Sequence, residues 1–152
     1  MIPNIGIGYK EYCKMHNAIC ESKFEKKGAE RYLIYFGRAH VVDHETEVLA
    51  RGPLKIGRGK WATALMRGRN QPGVDFRIYF EIILNTNEET YLIEKMIKDA
   101  LDHRNIVMSQ GQRELFNIKD EEIETVANTV LEIIEFETKI KPLEVNYFMK
   151  GK

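Results

Sequence analysis

Three separate runs of aromatic and β-branched residues set the strongest constraint on how this chain can fold. The segment from Arg31-Tyr-Leu-Ile-Tyr-Phe to Val42, the short stretch Leu54-Lys-Ile, and Phe76 to Leu84 are rich in side chains that suit a pleated, half-buried surface. Each is expected to be a strand. Polar or Gly/Pro punctuation separates them: Asp43 to Glu47, Arg51-Gly-Pro, and the glycine-flanked basic segment Gly57-Arg-Gly-Lys.

Around the strands the apolar period lengthens to that of a helix. Tyr9, Tyr12, Cys13, His16, Ile19, Cys20 and Phe24 recur at three- and four-residue steps, which predicts an amphipathic helix over residues 8–26 that Lys26, Lys27 and Gly28 end. A short helix is expected from Trp61 to Met66, stopped by Gly68 and Asn70. Thr86-Asn-Glu-Glu89 has the spacing of a capping box, so a helix should begin there, with Ile93, Met96, Ile97, Ala100 and Leu101 toward the core and Glu94 on the border with solvent. Glu114-Leu-Phe-Asn-Ile reads as a brief extended element. Asp120 to Phe136 reads as a long acidic helix with Ile123, Val126, Ala127, Val130, Ile133 and Ile134 inward. Pro142 opens a tail whose Tyr147-Phe148-Met149 docks on the domain or on a partner.

These elements predict an α/β chain of the α+β kind: a small three-stranded mixed or antiparallel sheet flanked by helices, with added N-terminal and C-terminal helices. At 152 residues it is the size of one domain, spanning 1–152. A hydrophobic share of 43% and a charged share of 30% are those of a folded protein, and no window approaches the roughly 20 apolar residues of a membrane span. A cytoplasmic location with no membrane contact is expected. Cys13 and Cys20 fit a reducing compartment, and with His16 they lack the fourth ligand of a zinc site, so core packing is the reading for all three.

The formal net charge is zero, yet the two signs are segregated along the chain. From Arg51 to Arg77 seven basic residues stand against Asp75 alone, whereas from Glu114 to Glu144 nine acidic residues face Lys119, Lys139 and Lys141. A basic middle suggests a working face for a polyanion, and an acidic end a solvated one.

Leu33-Ile34-Tyr35, Lys55-Ile56-Gly57, Arg67, Glu94 and Arg113-Glu114-Leu115-Phe116, taken in that order, resemble the GIY-YIG nuclease superfamily, nearest to a phage-type branch whose second signature reads Lys-Ile-Gly. The similarity covers about residues 31–118 and leaves out the N-terminal helix and the acidic C-terminal part, 119–152. It implies a metal-dependent endonuclease that hydrolyses phosphodiester bonds in DNA, with Glu94 holding one divalent ion, Mg or Mn. A hard cation of that kind takes carboxylate oxygen and keeps most of its waters. Tyr35 and Lys55 are the candidate proton acceptors, and Arg67 the fork that stabilises charge on the phosphate. Arg58, Lys60 and Arg69 would contact neighbouring phosphates.

The sequence departs from the family pattern in places. Leu33 stands where a glycine is usual, Lys55 where a tyrosine is more frequent, and nineteen residues lie between Tyr35 and Lys55, so Val42 to Gly52 should form a protruding loop or hairpin. Arg67 falls ten residues after Gly57, about two later than usual. These changes leave open a non-cleaving phage-type regulator or inhibitor that keeps the fold and binds nucleic acid, a nucleotide or a protein, acting in the host cytoplasm for a phage-encoded chain. A homo-oligomer built through the C-terminal region is the third alternative.

Overall fold

The computed structural model of the chain describes residues 6–15, 31–43, 47–60, 74–104 and 115–148. The described elements run α1 (Tyr9–Met15), β1 (Tyr32–Asp43), β2 (Glu47–Arg51), β3 (Leu54–Lys60), β4 (Val74–Leu84), α2 (Asn87–Ala100), a single 3-10 turn (Asp102–Arg104), β5 (Leu115–Phe116), α3 (Asp120–Glu137) and β6 (Glu144–Tyr147). The rest of the expected N-terminal helix, with His16 and Cys20, and the expected helix Trp61 to Met66 lie outside the described residues.

The class is α+β, but the sheet is larger than the three strands expected. Six strands, all antiparallel, take the order β5-β3-β1-β4-β6, with β2 paired to the far half of β1. The three expected strands form its centre. The lengthened and the additional strands have physical reasons. Gly57-Arg-Gly-Lys is strand rather than loop, because it continues β3 in register with Tyr32 to Tyr35. The expected loop or hairpin at Val42 to Gly52 is a hairpin, in which His40 and Val41 pair with Arg51 and Ala50. The tail after Pro142 finds the outer edge of β4 and becomes β6.

Local chemistry explains the helix limits. Thr86 Oγ1 accepts the Glu89 N–H at 3.1 Å while the Glu89 carboxylate accepts the Asn85 N–H at 3.0 Å, so α2 starts where the capping pattern put it. At the start of α3 the Glu122 carboxylate accepts the Lys119 N–H at 3.0 Å and pairs with Arg104, and these bonds hold its carboxyl down to about 2. None of the described helices is long and apolar enough to cross a membrane.

Because neighbours along a strand point to opposite faces, the register divides the sheet cleanly. Ile34, Phe36, Leu54, Ile56, Phe80 and Ile82 line the face that packs under Ile93 and Ile97 of α2 and Ile123, Ala127, Val130 and Ile134 of α3, forming the core. Leu33, Tyr35, Gly57, Glu81 and Ile83 line the other face. Tyr12 of α1 reaches that second face, where its hydroxyl donates to the buried Glu81 carboxylate at 2.5 Å and the Asn146 amide donates to the other oxygen at 2.9 Å.

Candidate functional site

Of the four residues that the resemblance groups together, the three described ones, Tyr35, Lys55 and Glu94, are not brought together. Tyr35 sits in the middle of β1, 2% exposed, with its ring over Gly57 and edge-on to Phe76 at 5.8 Å between centroids. Lys55 lies opposite Gly37 on β3 and shares that face. Glu94 belongs to α2, which covers the other face. The alternation within β3 already separates the groups: Arg58, three residues after Lys55, pairs with Ile34 and points toward α2. The full thickness of the sheet therefore lies between the phenol and amine on one side and the glutamate on the other. Arg67 and Arg69 lie outside the described residues, as does the side chain of Lys60, whose backbone ends β3 opposite Tyr32.

What α2 and β3 do assemble is a cluster around Arg58. Its guanidinium lies 3.2 Å above the centre of the Tyr91 ring, its Nη1 donates to Asn87 Oδ1 at 3.3 Å, and its Nε stands 3.7 Å from Glu94 Oε1. Lys98 holds the other oxygen of Glu94 at 3.2 Å. The expected place of Glu94 on the core border is correct, its side chain being 17% exposed. Both of its oxygens, however, face cations. Magnesium or manganese would need that carboxylate for itself, and among the described residues no group of three or more His, Cys, Asp or Glu side chains forms to help. The described donors around Glu94 are thus a poor set for a hard divalent ion.

Asn87, Tyr91 and Lys98 escaped the sequence reading. Their signal was present: positions 87, 91, 94 and 98 fall at steps of four, three and four, one face of a helix. Tyr91 could have been found as an aromatic off the core stripe, 53% exposed.

Two other polar assemblies are structural. Arg38, 7% exposed, donates to Asp120 at 2.9 Å, to the Gly52 carbonyl at 3.1 Å and to the Ile118 carbonyl, while Arg51 pairs with the second oxygen of Asp120. They line a cleft of about 330 Å³ at the start of α3 and tie it to the β2–β3 turn. Beneath it His40 is fully buried. Its Nδ1–H donates to the Arg38 carbonyl at 3.1 Å, which leaves Nε2 to accept from the Tyr79 hydroxyl at 3.0 Å. Burial pushes His40 down to about 4 and the Tyr79 phenol up.

No protein-family model, curated protein or solved structure matches the chain.

Proposed function

We propose that this chain is a non-cleaving regulator of the phage type that captures nucleic acid along the β3–α2 edge. One observation carries the binding: Arg58, in the basic strand, stacks on an aromatic ring that keeps half its surface in solvent. A guanidinium laid on a tyrosine is a stiff platform, held here by Asn87 and Glu94, on which a base can stack while the positive charge meets its phosphate. DNA is the partner the basic run from Arg51 to Arg77 favours. The separation of Tyr35 and Lys55 from Glu94 by the sheet supports the non-cleaving half of the proposal, since hydrolysis needs base, ligand and phosphate within a few ångströms of one another.

The test uses the full chain with a fluorescent single-stranded oligonucleotide and with supercoiled plasmid. Base stacking is worth roughly 1–3 kcal/mol by alanine substitution, so Tyr91→Ala should weaken binding roughly 5- to 150-fold. Arg58→Ala should weaken it as well and lower its salt dependence by about one counterion. Plasmid should stay intact in magnesium and in manganese. Metal-dependent nicking by the parent and not by Glu94→Ala would overturn the proposal in favour of the endonuclease.

A further inference from the structure

We propose that the cleft at the start of α3, beside its structural role, is a binding site for a phosphate group, carried by a small molecule or by the end of a nucleic-acid strand. The sheet concentrates positive charge beneath it. Arg38 pairs directly with Arg77 across β1 and β4, and His40 pairs with Arg51 across β1 and β2, so three guanidinium groups from three strands share the face that meets Asp120 of α3. Like charges set opposite each other in a sheet destabilise it. Arg77 has a carboxylate to itself, its Nε donating to Asp75 at 2.8 Å, whereas Asp120 alone serves both Arg38 and Arg51. His40 lies among them uncharged, and the nearby Arg77 and Arg51 help to keep it so.

The lining of the cleft is unbalanced in the same sense. Arg38, Arg51 and Lys119 stand against Asp120 and Glu121, and Glu121 is exposed, where water weakens its repulsion. Hydrogen bonding points the same way. Both oxygens of Asp120 and the carbonyls of Gly52 and Ile118 already accept from the arginines. Of the five N–H groups of Arg51, by contrast, one has an acceptor among the described residues. A wall whose acceptors are engaged while its donors are not takes a ligand rich in acceptor oxygens.

Arg38 is held ready for such a ligand. Its edge is fixed by three acceptors, and its guanidinium carbon lies 5.9 Å from the centre of the Tyr79 ring. Tyr79 reaches that place as the extra residue of a β-bulge, since Phe36 pairs with Phe80 and Gly37 with Ile78. Bulges commonly re-aim side chains beside functional sites. Burial pushes the Arg38 guanidinium below its usual value, as expected of a cation whose charge is incompletely matched. Phosphate suits the cleft better than carboxylate, because a guanidinium engages two of its oxygens at once and leaves a third for Lys119. The volume of about 330 Å³ is at the lower end for small-molecule sites and has room for a phosphate with part of its carrier. This inference is independent of the Arg58–Tyr91 platform, as Arg58 lies five residues beyond Pro53, roughly 17 Å of extended chain.

The experiment titrates the full chain with sodium phosphate, beside sodium acetate and sodium chloride at matched ionic strength, by calorimetry and by thermal unfolding. Phosphate should bind saturably and raise Tm once its concentration passes Kd, and acetate and chloride should do neither. Arg51→Gln should weaken phosphate binding roughly 10- to 150-fold through the loss of charge-assisted bonds. Lys119→Gln leaves the Asp120 clamp whole and should weaken binding roughly 2- to 5-fold, so it decides the matter where circular dichroism finds Arg51→Gln unfolded. Displacement of phosphate by a 5′-phosphorylated oligonucleotide, and not by its 5′-hydroxyl counterpart, identifies a strand end as the carrier. Displacement by a nucleoside monophosphate alone, or by none of these, assigns the site to a small free anion. Heats that never saturate, an equal rise of Tm in phosphate and acetate, equal displacement by the two oligonucleotides, or phosphate binding unchanged in the folded variants would each overturn the proposal. Base stacking on Tyr91 does not enter these readouts, so the two proposals fail separately.

Discussion

Gly57 is the last residue of the Lys-Ile-Gly signature, and its role here is to leave room for a ring. A Cβ placed on it would stand 2.5 Å from the Tyr35 hydroxyl oxygen, 2.7 Å from Cζ and 3.1 Å from Cε1. Tyr35 is 2% exposed and has Phe76 against its edge, so it has little space into which to swing. Gly57→Ala should therefore destabilise the chain by about 1–3 kcal/mol, the range for forcing extra volume into a packed core. At this chain length that corresponds to a fall in Tm of roughly 2–12 °C. Tyr35→Phe should not relieve the clash, because Cζ remains. Tyr35→Leu should relieve it, so a double-mutant cycle by urea unfolding should show Gly57→Ala costing less in the Tyr35→Leu background, with a coupling of about 1 kcal/mol or more. Gly52→Ala is the control, since its Cβ would meet nothing closer than 3.9 Å. Additivity of the two substitutions within about 0.5 kcal/mol would falsify the packing role and reopen a functional one for this glycine.

Two further outcomes follow from the buried polar groups. His40 falls from its usual value near 6.5 to about 4 because burial favours the neutral ring, so the unfolded chain binds the proton more readily. Its contribution to stability is complete above about pH 6.5 and is lost as pH falls toward 4, on the order of 3 kcal/mol in total. Urea midpoints of the parent should drop over that window more than those of His40→Gln, and parallel curves would contradict the assignment. Asp120→Ala leaves Arg38 and Arg51, with side chains 8% and 23% exposed, facing an empty position. It should cost about 3 kcal/mol, toward the low end for a broken buried pair because Asp120 keeps 14% exposure. A loss below about 1 kcal/mol in urea unfolding would show that the clamp is not what fixes the start of α3.

The sequence by itself determined the local elements. Alternating aromatic and β-branched residues made 32–43 and 74–84 strands wherever they went, Thr86 and Glu89 capped the helix start through the Glu89 and Asn85 N–H groups, and the period of Ile123, Ala127, Val130 and Ile134 made a helix with one apolar side. The division of Lys55 from Arg58 followed only once pairing with β1 had made Gly57–Lys60 strand, because an odd step along a regular strand changes face. Tertiary structure decided what no local pattern encodes. It chose which side of the sheet α2 would cover, and so put Glu94 with Arg58, Tyr91 and Lys98 rather than with Tyr35. It lengthened β3 through Gly57–Lys60 and made a strand of the tail after Pro142 by giving each a partner to pair with, and strand pairing depends on a neighbour distant in the chain, not on the segment alone.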